Sequence, residues 1–135
     1  AFLRARNAGI LVVAAAGNDG IDTDLFGHYP SGYALDNIIS VAALDRRDGL
    51  AGFSNRGKST VHIGAPGVEI TSTYNSADNS YASLDGTSMA APHVTGVVYS
   101  IGLDSAQKSI CFSAGSGRQG VDMNPVYITD FPKGK

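Results

Sequence analysis

The chain has one cysteine in 135 residues, no block of like charge, no internal repeat and no apolar run long enough to cross a bilayer. The lone Cys111 excludes an internal disulfide and any all-cysteine metal site; without a histidine or motif partner it reads as a structural or free thiol. Ten basic against 12 acidic residues, a formal charge of −2, carry none of the clustered positive charge by which a protein tracks nucleic acid. The longest apolar stretch, Ile10 to Ala16, is far short of the roughly 20 residues of a transmembrane helix. The opening segment, Ala1 to Gly9, has neither the apolar core nor the cleavage site of a signal peptide, and it starts on Ala. An internal piece of a longer polypeptide is therefore expected.

What remains is the composition of an ordinary α/β domain: 43% apolar residues and 17 glycines. Phe2 to Ala8 reads as the last turns of an amphipathic helix closed by Gly9. Ile10 to Ala16 reads as a strand buried on both faces of a parallel sheet. Gly17-Asn18-Asp19-Gly20 ends it and opens a long loop to about Asp36, a length that usually carries function. Asn37 to Leu44, Val61 to Ala65 and Val68 to Thr73 read as further strands, and Arg46-Arg47-Asp48 as an exposed turn between strands. From Thr87 to Ile101 the pattern is helical, with Pro92 placed near the helix start, where its missing N–H can be spared.

Two segments carry chemistry. Ala14-Ala15-Ala16-Gly17-Asn18 ends a buried strand, and ligands of open parallel sheets bind outside the carboxyl ends of the strands. Gly86-Thr87-Ser88-Met89-Ala90-Ala91-Pro92-His93-Val94 opens a helix, where a serine oxygen and its N–H lie beside the positive end of the dipole. Alone, Thr87-Ser88 would be read as a helix cap. Together, the two segments resemble the motifs around the oxyanion asparagine and the nucleophilic serine of the subtilisin-like serine proteases, the subtilases. Tyr29-Pro30, Phe53-Ser54-Asn55-Arg56-Gly57 and Ala65-Pro66-Gly67-Val68 follow the family's order and spacing.

The resemblance implies a partial three-layer α/β/α sandwich with a mainly parallel sheet: residues 1–101 as the C-terminal part of a subtilisin-like catalytic domain. It implies a serine endopeptidase acting through an acyl-enzyme on Ser88, with Asn18 donating to the oxyanion and a peptide or protein as substrate. It assigns Ala15, Ala16 and Gly17 to a wall of the pocket for the residue preceding the scissile bond. His28 falls near that pocket's base, where it should narrow the site and tolerate polar or acidic side chains. A cis bond before Pro30 is expected on the same ground. Relatives of this kind are mostly secreted or vacuolar.

A serine hydroxyl needs a base, and the base a carboxylate to orient it. In the family both come from segments upstream of the part matched here. His93 lies five residues after Ser88 on the same helix, a turn of roughly 500°, which points it away and favours packing or hydrogen bonding inside. His62 falls in a predicted strand and His28 in the pocket loop. The rival reading is therefore a non-catalytic remnant that at most binds peptides. An esterase would need the same missing base. No metal ligand set is assigned; Asp22 and Asp24 leave open either a Ca²⁺ site, of the kind found in this region of relatives, or a solvated loop. After Ile101 the sequence departs from the family. Gly102 and polar residues stand where the helix should run on, Ser113 to Gly120 is linker-like, and a divergent, poorly ordered tail is expected over 102–135.

Overall fold

A computed structural model describes residues 1–101. The expected tail 102–135, with Cys111 and the linker-like run, lies outside these residues. A short helix, α1 (Phe2–Asn7), leads into three parallel strands, β1 (Val12–Ala15), β2 (Ile38–Leu44) and β3 (Ile63–Pro66), hydrogen-bonded in the order β1-β2-β3. An antiparallel hairpin, β4 (Ile70–Thr73) with β5 (Tyr81–Leu84), stands apart, and α2 (Thr87–Ile101) closes the described chain. This is the partial α/β arrangement that the apolar runs predict.

The first junction shows why β1 begins two residues later than its sequence suggests. At the end of α1 the Gly9 N–H donates to the Arg6 carbonyl and the Ile10 N–H to that of Ala5, both at 2.9 Å, the paired bonds of a Schellman cap. Ile10 is thus occupied in ending the helix, and its carbonyl accepts from Asn37 Nδ2 at 3.0 Å. Pairing starts at Val12, whose N–H reaches the Asn37 carbonyl at 2.8 Å. Arg6 also grips both oxygens of Asp36, tying α1 to the chain two residues before β2. That guanidinium holds the Asp36 carboxyl below its usual range.

β2 is the central strand and is buried along almost its whole length, as its unbroken Ile-Ile-Ser-Val-Ala-Ala run predicts. Alternate residues serve opposite faces. Ile39, Val41 and Ala43 pack with Ala65 against Ala90, Val94 and Val98, a stripe of i, i+4 and i+8 positions on α2. Ala42 joins Ala16, Val61 and Leu50 in a second cluster. β1, an edge strand among the described residues, is only partly buried, short of the two-sided burial expected of it. Pro92 is the sixth residue of α2, beyond the first turn where it was expected, and the helix runs through it.

The fourth expected strand differs more. β4 is largely exposed and belongs to no parallel sheet; it pairs with β5, from Ile70 opposite Leu84 to Thr73 opposite Tyr81. Its alternation of Ile and Thr with Ser marks a strand but not the sheet it joins. β5 was not anticipated, although the turn-forming run Asn75 to Ser80 before Tyr81 is a hairpin signal. The hairpin hands the chain back to the sheet. The Gly86 N–H donates to the Gly67 carbonyl at 2.8 Å, and Asp85 accepts the Glu69 N–H at 2.7 Å.

His62, just before β3, clamps both main-chain groups of Ser40 in β2. Its N–H donates to the Ser40 carbonyl at 3.0 Å, and its Nδ1 accepts the Ser40 N–H at 2.9 Å. Burial pushes its pKa below the ordinary 6.5, and protonating Nδ1 would set a donor against a donor. The unfolded chain thus takes up a proton near pH 6.5 that the folded chain refuses until lower pH, so this contribution to stability is complete above about 6.5 and lost as pH falls through the folded value. Urea midpoints measured from pH 7.5 down to 5 should decline, and His62→Gln should be less stable at neutral pH but flatter over that range.

Candidate active site

Asn18 sits at the carboxyl end of β1 and Ser88 is the second residue of α2, both exposed on the same rim of the sheet. They are brought together by Thr87, which is fully buried. The Thr87 N–H and hydroxyl both donate to Asn18 Oδ1, at 2.9 and 3.0 Å. The same hydroxyl accepts the Gly17 N–H at 3.1 Å. With its oxygen held by two donors, the Asn18 amide has its orientation set, and Nδ2 is left pointing away from Thr87.

Where it points is decided by Gly86, at φ 154°, a backbone conformation that side chains disfavour. A methyl group built there would lie 3.6 Å from Asn18 Nδ2 and 3.7 Å from the Ser88 nitrogen. The missing side chain leaves a space bordered by these two nitrogens and by Met89 Sδ, 3.4 Å from that methyl position. First-turn N–H groups of a helix have no intrahelical acceptor. Asn18 takes that of Thr87, and the Gly86 carbonyl takes those of Met89 and Ala90. The Ser88 N–H has no partner among the described residues, and it stands at the positive end of a 15-residue helix.

The loop carrying Asn18 is held from its other side by Asn55, which is completely buried. Its Oδ1 accepts the Asp19 and Ile21 N–H groups at 2.9 and 3.2 Å, and its Nδ2 donates to the Ala16 carbonyl at 2.9 Å. Its own N–H donates to the Gly17 carbonyl at 2.9 Å. Gly17, at φ 102°, is pressed so closely that a Cβ would fall 2.4 Å from Asn55 Nδ2 and 2.6 Å from His28 Nε2. His28 thus abuts Gly17, its Nδ1 2.9 Å from Ser31 Oγ. Ala15 is half-buried, and Ala16 is fully buried in the second core cluster, its N–H on the Val41 carbonyl and its carbonyl on Asn55 Nδ2. The Tyr29–Pro30 bond is cis, as the resemblance implies.

The three histidines are engaged elsewhere: His28 with Ser31, His62 with Ser40, and His93 with the Met89 carbonyl of its own helix. None hydrogen-bonds Ser88. His93 is exposed, contrary to the expected inward packing. Asp22 and Asp24 do not fit a Ca²⁺ site. Asp24 accepts the Thr60 hydroxyl and the N–H groups of Ser59 and Thr60, and Asp22 Oδ1 accepts the Asp24 N–H. The Thr60 hydroxyl is the main reason the Asp24 carboxyl stays below its usual range. Among the described residues no three His, Cys, Asp or Glu side chains are grouped to hold a metal ion, and no helix is long and apolar enough to cross a membrane.

The model of the subtilase family matches residues 1–102. The chain belongs to the subtilase family. It is 45% identical over 96 residues to Subtilisin-like protease 2 of Plasmodium falciparum, covering 69% of this chain and 7% of that protein. It is 49% identical over 94 residues to the thermostable alkaline protease of Halalkalibacterium halodurans, covering 70% and 24%. With thermitase of Thermoactinomyces vulgaris it shares 50% over 91 residues, covering 67% and 30%. The chain thus spans less than a third of each of these subtilases.

Sequence reasoning missed Thr87 as the joint and Asn55 as the cradle. Their signal was slight: a threonine inside Gly-Thr-Ser, and a buried amide inside Phe53-Ser54-Asn55-Arg56-Gly57. Thr87→Val keeps the shape but leaves the Gly17 N–H and one bond to Asn18 unmade, which should cost about 1–3 kcal/mol. Urea denaturation should show this loss, and Thr87→Ser should recover most of it.

Proposed function

We propose that this subtilase segment carries the nucleophile and the oxyanion donors of a serine endopeptidase. The observation that supports it most is that Asn18 Nδ2 and the unpartnered Ser88 N–H border the same space beside Gly86. In this reading Ser88 Oγ attacks the scissile carbonyl, whose oxygen gains charge beside the two donors; the C–N bond of that tetrahedral intermediate then breaks, the amine leaves with the proton given up by Ser88, and water hydrolyses the acyl-enzyme that remains. The donors are preorganised, because Thr87 fixes the Asn18 amide before substrate arrives. The proton of Ser88 must go to a base, and none of the described histidines touches it. That base and its orienting carboxylate belong, on the family pattern, to a part of the protein outside these residues.

In the same reading the backbone of Ala15, Ala16 and Gly17 walls the pocket for the residue before the scissile bond, with His28 against Gly17. An imidazole there takes up room that a large apolar side chain would need and offers Nε2 to a polar one. The substrate class follows as peptides with polar or acidic residues at that position. A second reading is a remnant that binds peptides without cleaving them; among the described residues no histidine hydrogen-bonds Ser88, and both readings share this.

A fluorophosphonate probe separates the two. The full-length protein containing this segment should be labelled covalently, and Ser88→Ala should abolish the labelling; an unlabelled full-length protein would establish the remnant. Asn18→Ala should lower turnover on a peptide anilide by about a hundredfold or more, a magnitude adopted from subtilisin's own oxyanion asparagine. On a peptide series, His28→Gly should raise kcat/KM for large apolar residues relative to acidic ones. Equal cleavage of both by the unaltered protein would refute the role of His28.

A further inference from the structure

We infer that Asn55 is a positioning residue for the hydrolytic reaction, acting through Asn18; the inference rests on the endopeptidase reading. Asn18 is restrained at both ends. Its side-chain oxygen is held by Thr87, on the helix side. Its main chain is placed through its neighbours: Thr87 takes the Gly17 N–H and Val41 the Ala16 N–H, while Asn55 binds the Ala16 and Gly17 carbonyls before it and the Asp19 and Ile21 N–H groups after it. One buried amide, with its own N–H, thus meets the loop at points flanking Asn18 on both sides and touches neither Asn18 nor Ser88.

The contact is steric as well as polar. Gly17 lies so close to Asn55 Nδ2 that the loop cannot move toward it, while the hydrogen bonds stop it from moving away. Asn55 is itself seated firmly: it is fully buried, and the preceding Ser54 hydroxyl accepts the Ala43 N–H of β2 at 3.0 Å. Asn55 thus holds the main chain on both sides of Asn18, beside the bonds of Val41 and Thr87 to the residues before it, and Thr87 sets the direction of the amide. An oxyanion donor acts only if it stands within hydrogen-bond reach of where charge develops, and a misplacement of about 1 Å can cost on the order of a hundredfold.

The test is a double-mutant cycle in the full-length protein, with kcat expressed per site titrated by the fluorophosphonate probe. Asn55→Ala should lower kcat by about 10-fold to 100-fold, with KM changed by less than about threefold, because what is lost acts in the transition state. Combined with Asn18→Ala, it should lower kcat no further than Asn18→Ala alone, since the residue through which it acts is gone. Should Asn55→Ala not accumulate as folded protein, Asn55→Asp, which keeps the size and the acceptor but not the donor to Ala16, carries the same cycle. A merely structural role would reduce the number of titrated sites and leave kcat per site unchanged; that result, or losses that multiply in the double variant, overturns the proposal. A wild type that is neither labelled nor active overturns the endopeptidase reading and this one with it, whereas a labelled, active wild type with multiplying losses overturns this one alone.

Discussion

The buried hydroxyl of Thr87 joins two parts of the chain that have no other reason to meet at this precision. A Gly17 N–H at the end of β1 and a side-chain amide on the next residue are both satisfied by one threonine at the head of α2. Around that joint the rest falls into place: the sheet sets the height of the rim, α2 packs its Ala90, Val94 and Val98 stripe onto β2, and the hairpin returns the chain through Gly67 and Gly86 so that the helix starts at the rim. Packing alone would allow the helix to slide along its apolar stripe. The directional bonds at its first residue remove that freedom.

The core beneath is built from small side chains. Ala16, Ala42, Ala43, Ala65 and Ala90 are buried beside isoleucines and valines and, among the described residues, no larger buried apolar side chain, so the apolar area gained per residue is modest. Buried polar side chains with defined partners take over part of the task of specifying the structure. Thr23, Ser54, Asn55 and Thr87 are all buried, and each hydrogen-bonds main chain from a different segment. Such networks set positions more sharply than alkyl contacts do, which suits a rim whose donors must be aimed.

This division explains what could be read from the sequence. The unbroken apolar run of β2, the glycine after α1 and the helical spacing after Thr87 are local signals, and each marks its element. The family was legible from two short segments because each is a long specific run of residues and the two stand in the family's order. Local signals failed where a long-range partner decides. Ile10 reads as strand until the cap of α1 takes its N–H. Ile70 to Thr73 reads as one more parallel strand until Tyr81 to Leu84 pairs with it. Asp22 and Asp24 read as a solvated loop with a Ca²⁺ site left open, until Ser59 and Thr60, some 35 residues on, supply the donors for Asp24. Nothing near Asn55 in sequence says that its amide serves residues 16 to 21.

The bonds that unite the two halves of the rim span 69 and 70 positions of chain. Local order can form early in α1, in the hairpin and in the first turns of α2, but closing so long a loop is entropically costly and rewards the chain only when the sheet between is complete. The paired donors at Gly86 are therefore among the last features the folding chain acquires. Until those bonds close, the Asn18 amide is not held by Thr87, so the geometry of this rim is tied to completion of the fold and arrives with it.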